Sequence, residues 1–428
     1  MINKPENLCL IPWLGFSNNP NGVAQPCCIY KGNIKDELGN DLYVQKTAVK
    51  DIFASDYMQN LRQAFRENKK PVGCETCWKD EANGYRSKRM IYSENGFFTD
   101  PNYDGQVDWK EEPEFPQEYQ MIINNSCNLK CRSCGPSHSS LWQQENVKFD
   151  GNSGFDMPFK QAGDKQGELW NTRHEWYPHL RHLEVVGGEP MFIKQWHKVF
   201  DELIELGHSK NITLDMSSNC TIIIPELLLK LKRNFRRVGI GLSVDGTEDI
   251  YEYLRHPGKW DEVYSNMKFY NDFHVENCTG DHQVLLHPYN DNLNIQVTYT
   301  IGWLNALDLI KIHKLVKKEF PRFKKIWNNI IHWPEFMSIN NAPEELKILI
   351  SHEWGSYDWG EYENDINAIE DFMFSTVTSP EEFKRHYGQF GTVDTKRNEN
   401  LWNVMPEKYK PLLEKYTHNR EIITNYEK

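Results

Sequence analysis

The 428-residue sequence predicts an α/β protein: a partial (β/α)6 barrel preceded by a cysteine-rich segment and followed by a mostly helical extension. Three observations predict this. Apolar strand-like runs alternate with helical patterns from Glu118 onward, the signature of βα units and a parallel sheet. Three of those strands alternate polar with apolar side chains, whereas parallel strands covered by helices usually read as continuous apolar runs. Five cysteines crowd the first 95 residues, separated by Gly, Pro and Asn.

In chain order, residues 1–95 form the cysteine-rich segment and 96–116 a linker rich in Pro and acidic residues. Residues 117–339 form the barrel and 340–428 the extension, which is polar and rich in Trp and Tyr. The predicted strands are Tyr119–Asn124, Leu180–Val186, Ile212–Ser217, Arg237–Val244, Asn294–Ile301 and Lys325–Ile331. Helices are expected at Ile193–Leu206, Pro225–Arg233, Trp260–Phe269 and Leu304–Lys318. In the first of these, Ile193, Trp196, Val199, Phe200, Leu203 and Ile204 share one face. Thr213, Asp215, Ser217 and Asn219 oppose Ile212, Leu214 and Met216. Gly239, Gly241, Ser243 and Asp245 oppose Val238, Ile240, Leu242 and Val244, and Gln296, Thr298 and Thr300 oppose Ile295, Val297, Tyr299 and Ile301. Helices must cover the apolar face, so the polar face lines a wet lumen rather than a packed interior. Val147–His179 is a long insertion of little pattern, expected to be functional or mobile.

The bulk numbers exclude several classes. No run approaches the ~18 apolar residues that span a bilayer; Ile222–Ile224 and Leu227–Leu229 are interrupted by Pro225, Lys230 and Lys232. Met1–Glu6 has no apolar signal region, so a cytoplasmic address is expected. A net charge of −12 argues against non-specific nucleic-acid binding, which needs clustered positive charge. Seven of the ten cysteines fall in tight clusters. In a reducing compartment, clustered thiolates mean metal.

Cys127, Cys131 and Cys134 have C-x3-C-x2-C spacing and follow the first barrel strand, at the end where barrel active sites lie. Three thiolates on one loop can hold three irons of a 4Fe–4S cube and leave the fourth open. A structural zinc loop lacking a partner is the alternative, since zinc takes four ligands. Gly187-Gly188-Glu189-Pro190 ends the second strand, Ser217-Ser218-Asn219 the third and Ser243-Val244-Asp245-Gly246 the fourth. Arg255 follows in Tyr-Glu-Tyr-Leu-Arg-His-Pro-Gly-Lys-Trp.

On these motifs, in this order, the sequence resembles the radical S-adenosylmethionine (SAM) superfamily. The resemblance implies a TIM-like partial barrel and an oxygen-sensitive 4Fe–4S cluster on Cys127, Cys131 and Cys134. Its open iron would bind SAM, and reduction would cleave SAM to a 5′-deoxyadenosyl radical that abstracts hydrogen from substrate. Gly187 and Gly188 would let backbone approach the cofactor, and Glu189 would accept from the SAM ammonium. Ser217, Asn219, Ser243 and Asp245 are assigned to the ribose and carboxylate of SAM, and Arg255 to its carboxylate. Ser133 departs from the family, where an aromatic or large apolar residue precedes the third cysteine.

Cys9 and Cys27 are spaced C-x12-G-x4-C through Gly22, and Cys74 and Cys77 follow as C-x2-C. This resembles the SPASM/twitch module, which holds an auxiliary iron–sulfur cluster, expected to be 4Fe–4S; here it precedes the barrel. Four cysteines would close that cluster to substrate and leave it electron transfer. Cys28 is a spare that could replace Cys27, and a zinc ribbon on the same four cysteines stays open.

Cys220 is a candidate hydrogen donor to a substrate radical, as is Cys278, although cysteine is also a common buried residue. His174, His179 and His182 show no ligand spacing and are expected at the surface or behind a site. The implied partners are a peptide or protein, or a small molecule such as a sugar alcohol, with a reducing donor such as flavodoxin or ferredoxin. The rival class is a non-catalytic iron–sulfur or zinc scaffold.

Overall fold

Eight strands form one sheet in the computed structural model, which describes residues 4–82, 84–94, 107–154, 167–276, 292–323 and 325–417. They are β1 (Gly15–Asn18), β2 (Ala24–Gln25), β3 (Glu118–Met121), β4 (His182–Val185), β5 (Thr213–Ser218), β6 (Arg237–Ser243), β7 (Leu293–Ile301) and β8 (Ile326–Ile330). The order is β2-β1-β3-β4-β5-β6-β7-β8; only the β1–β2 pair is antiparallel.

The six strands read from the sequence are β3–β8, within a few residues at each end. The strand count needs correcting, because the cysteine-rich segment supplies two more. Four-residue β1 is buried along its whole length, so it carries no alternation to read. Gly15 is what lets it reach the sheet, since a Cβ there would stand 1.8 Å from the Glu118 carbonyl oxygen.

Helices cover the apolar face. Lys194–Glu205 buries Trp196, Val199, Phe200 and Leu203, and Pro225–Asn234 buries Leu227, Leu228 and Leu231. Each such side chain contributes about 1.5–3 kcal/mol when fully buried. On β7 the residues alternate strictly between buried apolar and half-buried polar. Register across the strands fixes the other face. Ser17, Gln120, Glu184, Asp215, Gly239 and Asn294 lie side by side, and Ser243 adjoins Thr298, which in turn adjoins Trp327. Polar side chains therefore share one half-open face, as the alternation predicts.

After β8 the described chain is helical, at Glu344–Gly355, Glu363–Met373, Pro380–Arg397, Leu401–Val404 and Lys410–Thr417. This part packs back on the sheet: Trp303 meets Phe383 and Phe390 edge-on, and Trp354 donates from Nε1 to the Ala306 carbonyl. Part of the Val147–His179 insertion lies outside the described residues. No described helix is long and apolar enough to cross a membrane.

Candidate cluster and cofactor site

The cysteine loop leaves β3 and is tied down on three sides. Ser139 caps the following helix, Ser140–Asp150, by accepting from Trp142 N, and its hydroxyl donates 2.5 Å to the Leu129 carbonyl. Trp142 Nε1 donates to the Cys131 carbonyl at 2.8 Å, and Cys127 N donates to Ser140 Oγ. Across the sheet, Lys130 N and Arg132 N donate to the carbonyls of His256 and Leu254. Cys127 and Cys131 are buried and Cys134 half-buried.

The thiols are shaped by burial and by each other. Burial pushes Cys127 up to about 12, with Cys131 adding to the effect. Cys131 is held below the usual thiol range by a hydrogen bond from Cys134 and by the Arg255 guanidinium, while Cys134 is pushed up. Buried thiols of this kind ionise only beside a cation, which is what a metal cluster supplies.

Gly187 and Gly188 both have positive φ, +81° and +57°. A Cβ on Gly188 would stand 2.4 Å from the Ser126 carbonyl oxygen, and one on Gly187 2.5 Å from the Ile122 side chain. The turn is thereby pressed on the stretch just before Cys127, and Glu189 N donates to the Ser126 carbonyl. Glu189 itself is fully buried. It accepts from Met191 N, Ser218 Oγ and Asn219 N at 3.1, 3.0 and 2.6 Å. All three donors are neutral, and burial pushes its carboxyl up to about 7. Arg255 offsets the burial only in part, so an ammonium such as the amino group of SAM would fit beside this carboxylate.

Asn219 is buried and donates from Nδ2 to Asn128 Oδ1 at 2.9 Å, 3.9 Å from the Cys127 sulfur. Asp245 and Arg255 form a buried ion pair at 2.6 Å, and Arg255 Nη1 lies 3.9 Å from Cys131 Sγ. Asp245 also accepts from Thr300 N. The structure thus ties Arg255 to Asp245 and the cysteine loop, and leaves its buried Nε without a hydrogen-bond partner. Ser217 is exposed and Ser243 half-buried, both on the polar face.

Cys220 is placed differently from its expected role as hydrogen donor. It is fully buried at φ +63°, and its thiol is directed to the Val263 carbonyl in helix Trp260–Glu276, among core residues. The tight turn that follows Asn219 rotates the side chain off the polar face. Cys278 lies outside the described residues.

In the N-terminal segment Cys9 and Cys77 are buried, Cys27 and Cys74 half-buried and Cys28 exposed. Burial, then the neighbouring Cys27, Cys74 and Cys77, raise Cys9, so these four thiols share one electrostatic neighbourhood. Cys28 accepts from Lys88 Nζ at 3.1 Å and, with Cys27, lines a small pocket beside Lys88, Tyr92 and Glu118. Among the described residues, no three His, Cys, Asp or Glu side chains close together tightly enough to chelate a single metal ion.

One ionisable constellation escaped the sequence reading. His182 is not at the surface: it is 1% exposed, 2.8 Å from Asp215 and 3.4 Å from Glu118. Glu118 also accepts from Tyr92 OH at 2.5 Å. The available signal was register, since Glu118 pairs with His182 on adjacent strands of the polar face. His174 is exposed, as expected, and His179 stacks on Phe115.

Comparison with known proteins bears on this assembly. No curated protein sequence matches the chain. Among solved structures, it is similar to native anSMEcpe with bound AdoMet, at 16% identity and a TM-score of 0.35 over 57% of this chain and 60% of that one. It is also similar to Streptococcus suis SuiB bound to S-adenosylmethionine, at 12% identity and a TM-score of 0.31 over 57% of this chain and 44% of that one. In both cases the chain covers less than two thirds of the other protein. The sequence profile of the Radical SAM superfamily matches residues 121–293, the stretch that holds the cysteine loop, the Gly187–Pro190 turn, Asp245 and Arg255. Residues 121–293 are therefore similar to a radical SAM domain.

Proposed function

We propose that this protein is a radical SAM enzyme that abstracts hydrogen from a peptide, protein or small-molecule substrate. The observation that carries the reading is the meeting of Cys127, Cys131, Cys134, Glu189 and Asp245 beyond the C-terminal ends of β3, β4 and β6 with Arg255, which arrives from the end of helix Glu248–Leu254. When bound, a 4Fe–4S cluster with one open iron supplies the electron that cleaves SAM to a 5′-deoxyadenosyl radical.

The chain's own residues bind and orient. Cys127, Cys131 and Cys134 offer three sulfurs on one loop, and Arg255 places positive charge beside them. Glu189 offers a buried carboxylate, held up by burial and only partly offset by Arg255, to the SAM ammonium. Asn219 sits between Glu189 and Cys127, so it orders both at once. Ser217, Ser243 and Asp245 supply hydrogen-bonding groups along the strand ends for ribose and carboxylate, while Gly187 and Gly188 keep the turn close to the loop. The polar strand face beyond them supports a hydrophilic substrate. Cys9, Cys27, Cys74 and Cys77 are read as ligands of an auxiliary cluster that passes an electron on, the external donor being a flavodoxin or ferredoxin.

The test is anaerobic reconstitution, metal analysis, then dithionite with SAM and detection of 5′-deoxyadenosine. Two 4Fe–4S clusters predict about eight irons per chain, and slow 5′-deoxyadenosine release that Cys127→Ala abolishes. Zinc in the N-terminal segment would remove the auxiliary cluster alone. Wild-type protein that holds iron or zinc but cleaves no SAM would favour the scaffold reading.

A further inference from the structure

The cysteine loop is gripped by residues more than 250 positions away. Arg132, between Cys131 and Ser133, is 3% exposed. Its Nη2 lies 2.6 Å from Asp394 Oδ1 and 2.5 Å from Glu399 Oε2, and its Nε donates to the Tyr253 carbonyl at 3.0 Å. The guanidinium also stacks over the Tyr253 ring at 3.7 Å. Asp394 is held in turn by Tyr253 OH and by Leu401 N, and Glu399 by His256 Nδ1. A second grip lies beside the first. Buried Glu145 pairs with Lys130 of the loop and, through both oxygens, with Arg397, whose guanidinium covers the Trp142 ring. Trp142 is the residue that donates to the Cys131 carbonyl.

The C-terminal chain is shaped for this contact. Helix Pro380–Arg397 ends at Asn398, whose φ of +53° puts it in the left-handed region that Asn tolerates at a helix end. That turn brings Glu399 and the Leu401 amide back beside Asp394, so both carboxylates meet one guanidinium. Burying such charges costs desolvation that their attraction only roughly repays, so overall stability is a poor reason to build them here. Fixing one loop geometry is a better one, because a short loop of polar residues otherwise keeps its backbone entropy.

We propose that the segment from Pro380 to Val404 is a clamp for the cluster-holding loop, with Arg132, Asp394, Glu399, Glu145 and Arg397 as its positioning residues. The proposal rests on the reading of Cys127, Cys131 and Cys134 as cluster ligands. It gives the C-terminal extension a role in the chemistry through the cysteine loop that it grips.

The experiment uses the full-length, anaerobically reconstituted protein and reads the EPR signal of the reduced cluster that changes on adding SAM. A closed auxiliary cluster does not respond in this way. Loss of that signal is timed under an iron chelator. For D394N/E399Q we expect loss about 10- to 100-fold faster than wild type, the size of effect typical when residues supporting metal ligands are removed. Glu399→Asp, which keeps the charge, should restore most of the retention. A D394N/E399Q protein with wild-type circular dichroism and wild-type retention overturns the clamp. If that variant does not fold, Arg132→Lys decides, because Lys keeps the charge but loses the planar fork whose Nε and Nη2 reach the carbonyl and the two carboxylates from separate atoms while the plane stacks on Tyr253; unchanged retention in R132K overturns the proposal equally. Wild-type protein without any SAM-responsive signal sinks the proposed function, and the clamp with it.

Discussion

Asp245 and Arg255 meet at 2.6 Å with both side chains buried, and the guanidinium reaches on to within 3.9 Å of the Cys131 sulfur. One ion pair therefore joins the end of β6 to the cysteine loop. Arg255→Met should leave the Asp245 charge buried without its partner and cost about 3–5 kcal/mol. The D245N/R255M double variant should recover much of that loss. Denaturant midpoints of the two single variants and the double variant give the coupling; simple additivity would contradict it.

His182 carries a pH signature. Burial alone would lower its pKa, but hydrogen bonds with the Asp215 and Glu118 carboxylates outweigh that and raise it to about 10. The imidazole is then protonated in the folded chain at neutral pH. Because the folded pKa lies above the unfolded value, its stabilising contribution is complete below about 6.5 and is lost as pH rises through about 10. NMR titration of the imidazole should find no deprotonation before pH 8, and His182→Gln should flatten this part of the stability profile.

Gly239 controls that same pair from the neighbouring strand. A Cβ there would stand 1.9 Å from Asp215 Oδ1. Gly239→Ala should push Asp215 off the imidazole, so the His182 pKa should fall toward the ordinary histidine value. A titration identical to wild type would mean that the Asp215 carboxylate relaxes without losing its partner.

Gly188→Ala tests the turn behind the cysteine loop. The left-handed backbone alone costs an alanine about 1–2 kcal/mol, and the new methyl would meet the Ser126 carbonyl at 2.4 Å. Ser126 precedes the first cysteine, so the strain should reach the loop. The expected outcome is a lower melting temperature together with reduced SAM-responsive cluster, measured on the same preparation.

Cys27 and Cys28 should separate cleanly. Cys28 accepts from Lys88, while Cys27, close to both Cys28 and Lys88, also acts on Cys9 and Cys74. Cys28→Ser should keep the full iron content, and Cys27→Ser should lose about four irons, one 4Fe–4S complement. The reverse pattern would make Cys28 the ligand.

Much of this was legible from local pattern. The six strands β3–β8 and the helices between them follow from periodicity, because a side chain's face is set by its own neighbours in the chain. The cysteine triplet and the Gly-Gly-Glu-Pro turn are likewise short-range motifs. Conservation of pattern over a few residues does not carry partners across the fold. Whether Cys220 turned inward or outward depended on the φ of a single residue. That β1 joins the sheet depended on Gly15 having no Cβ to collide with Glu118. That His182 is charged and buried depended on the strands beside it, and that Arg132 finds Asp394 depended on a helix folded back from the far end of the chain. Charges that neutralise one another at such separation leave no trace in local sequence, because the desolvation that makes the pairing necessary exists only once the chain has packed.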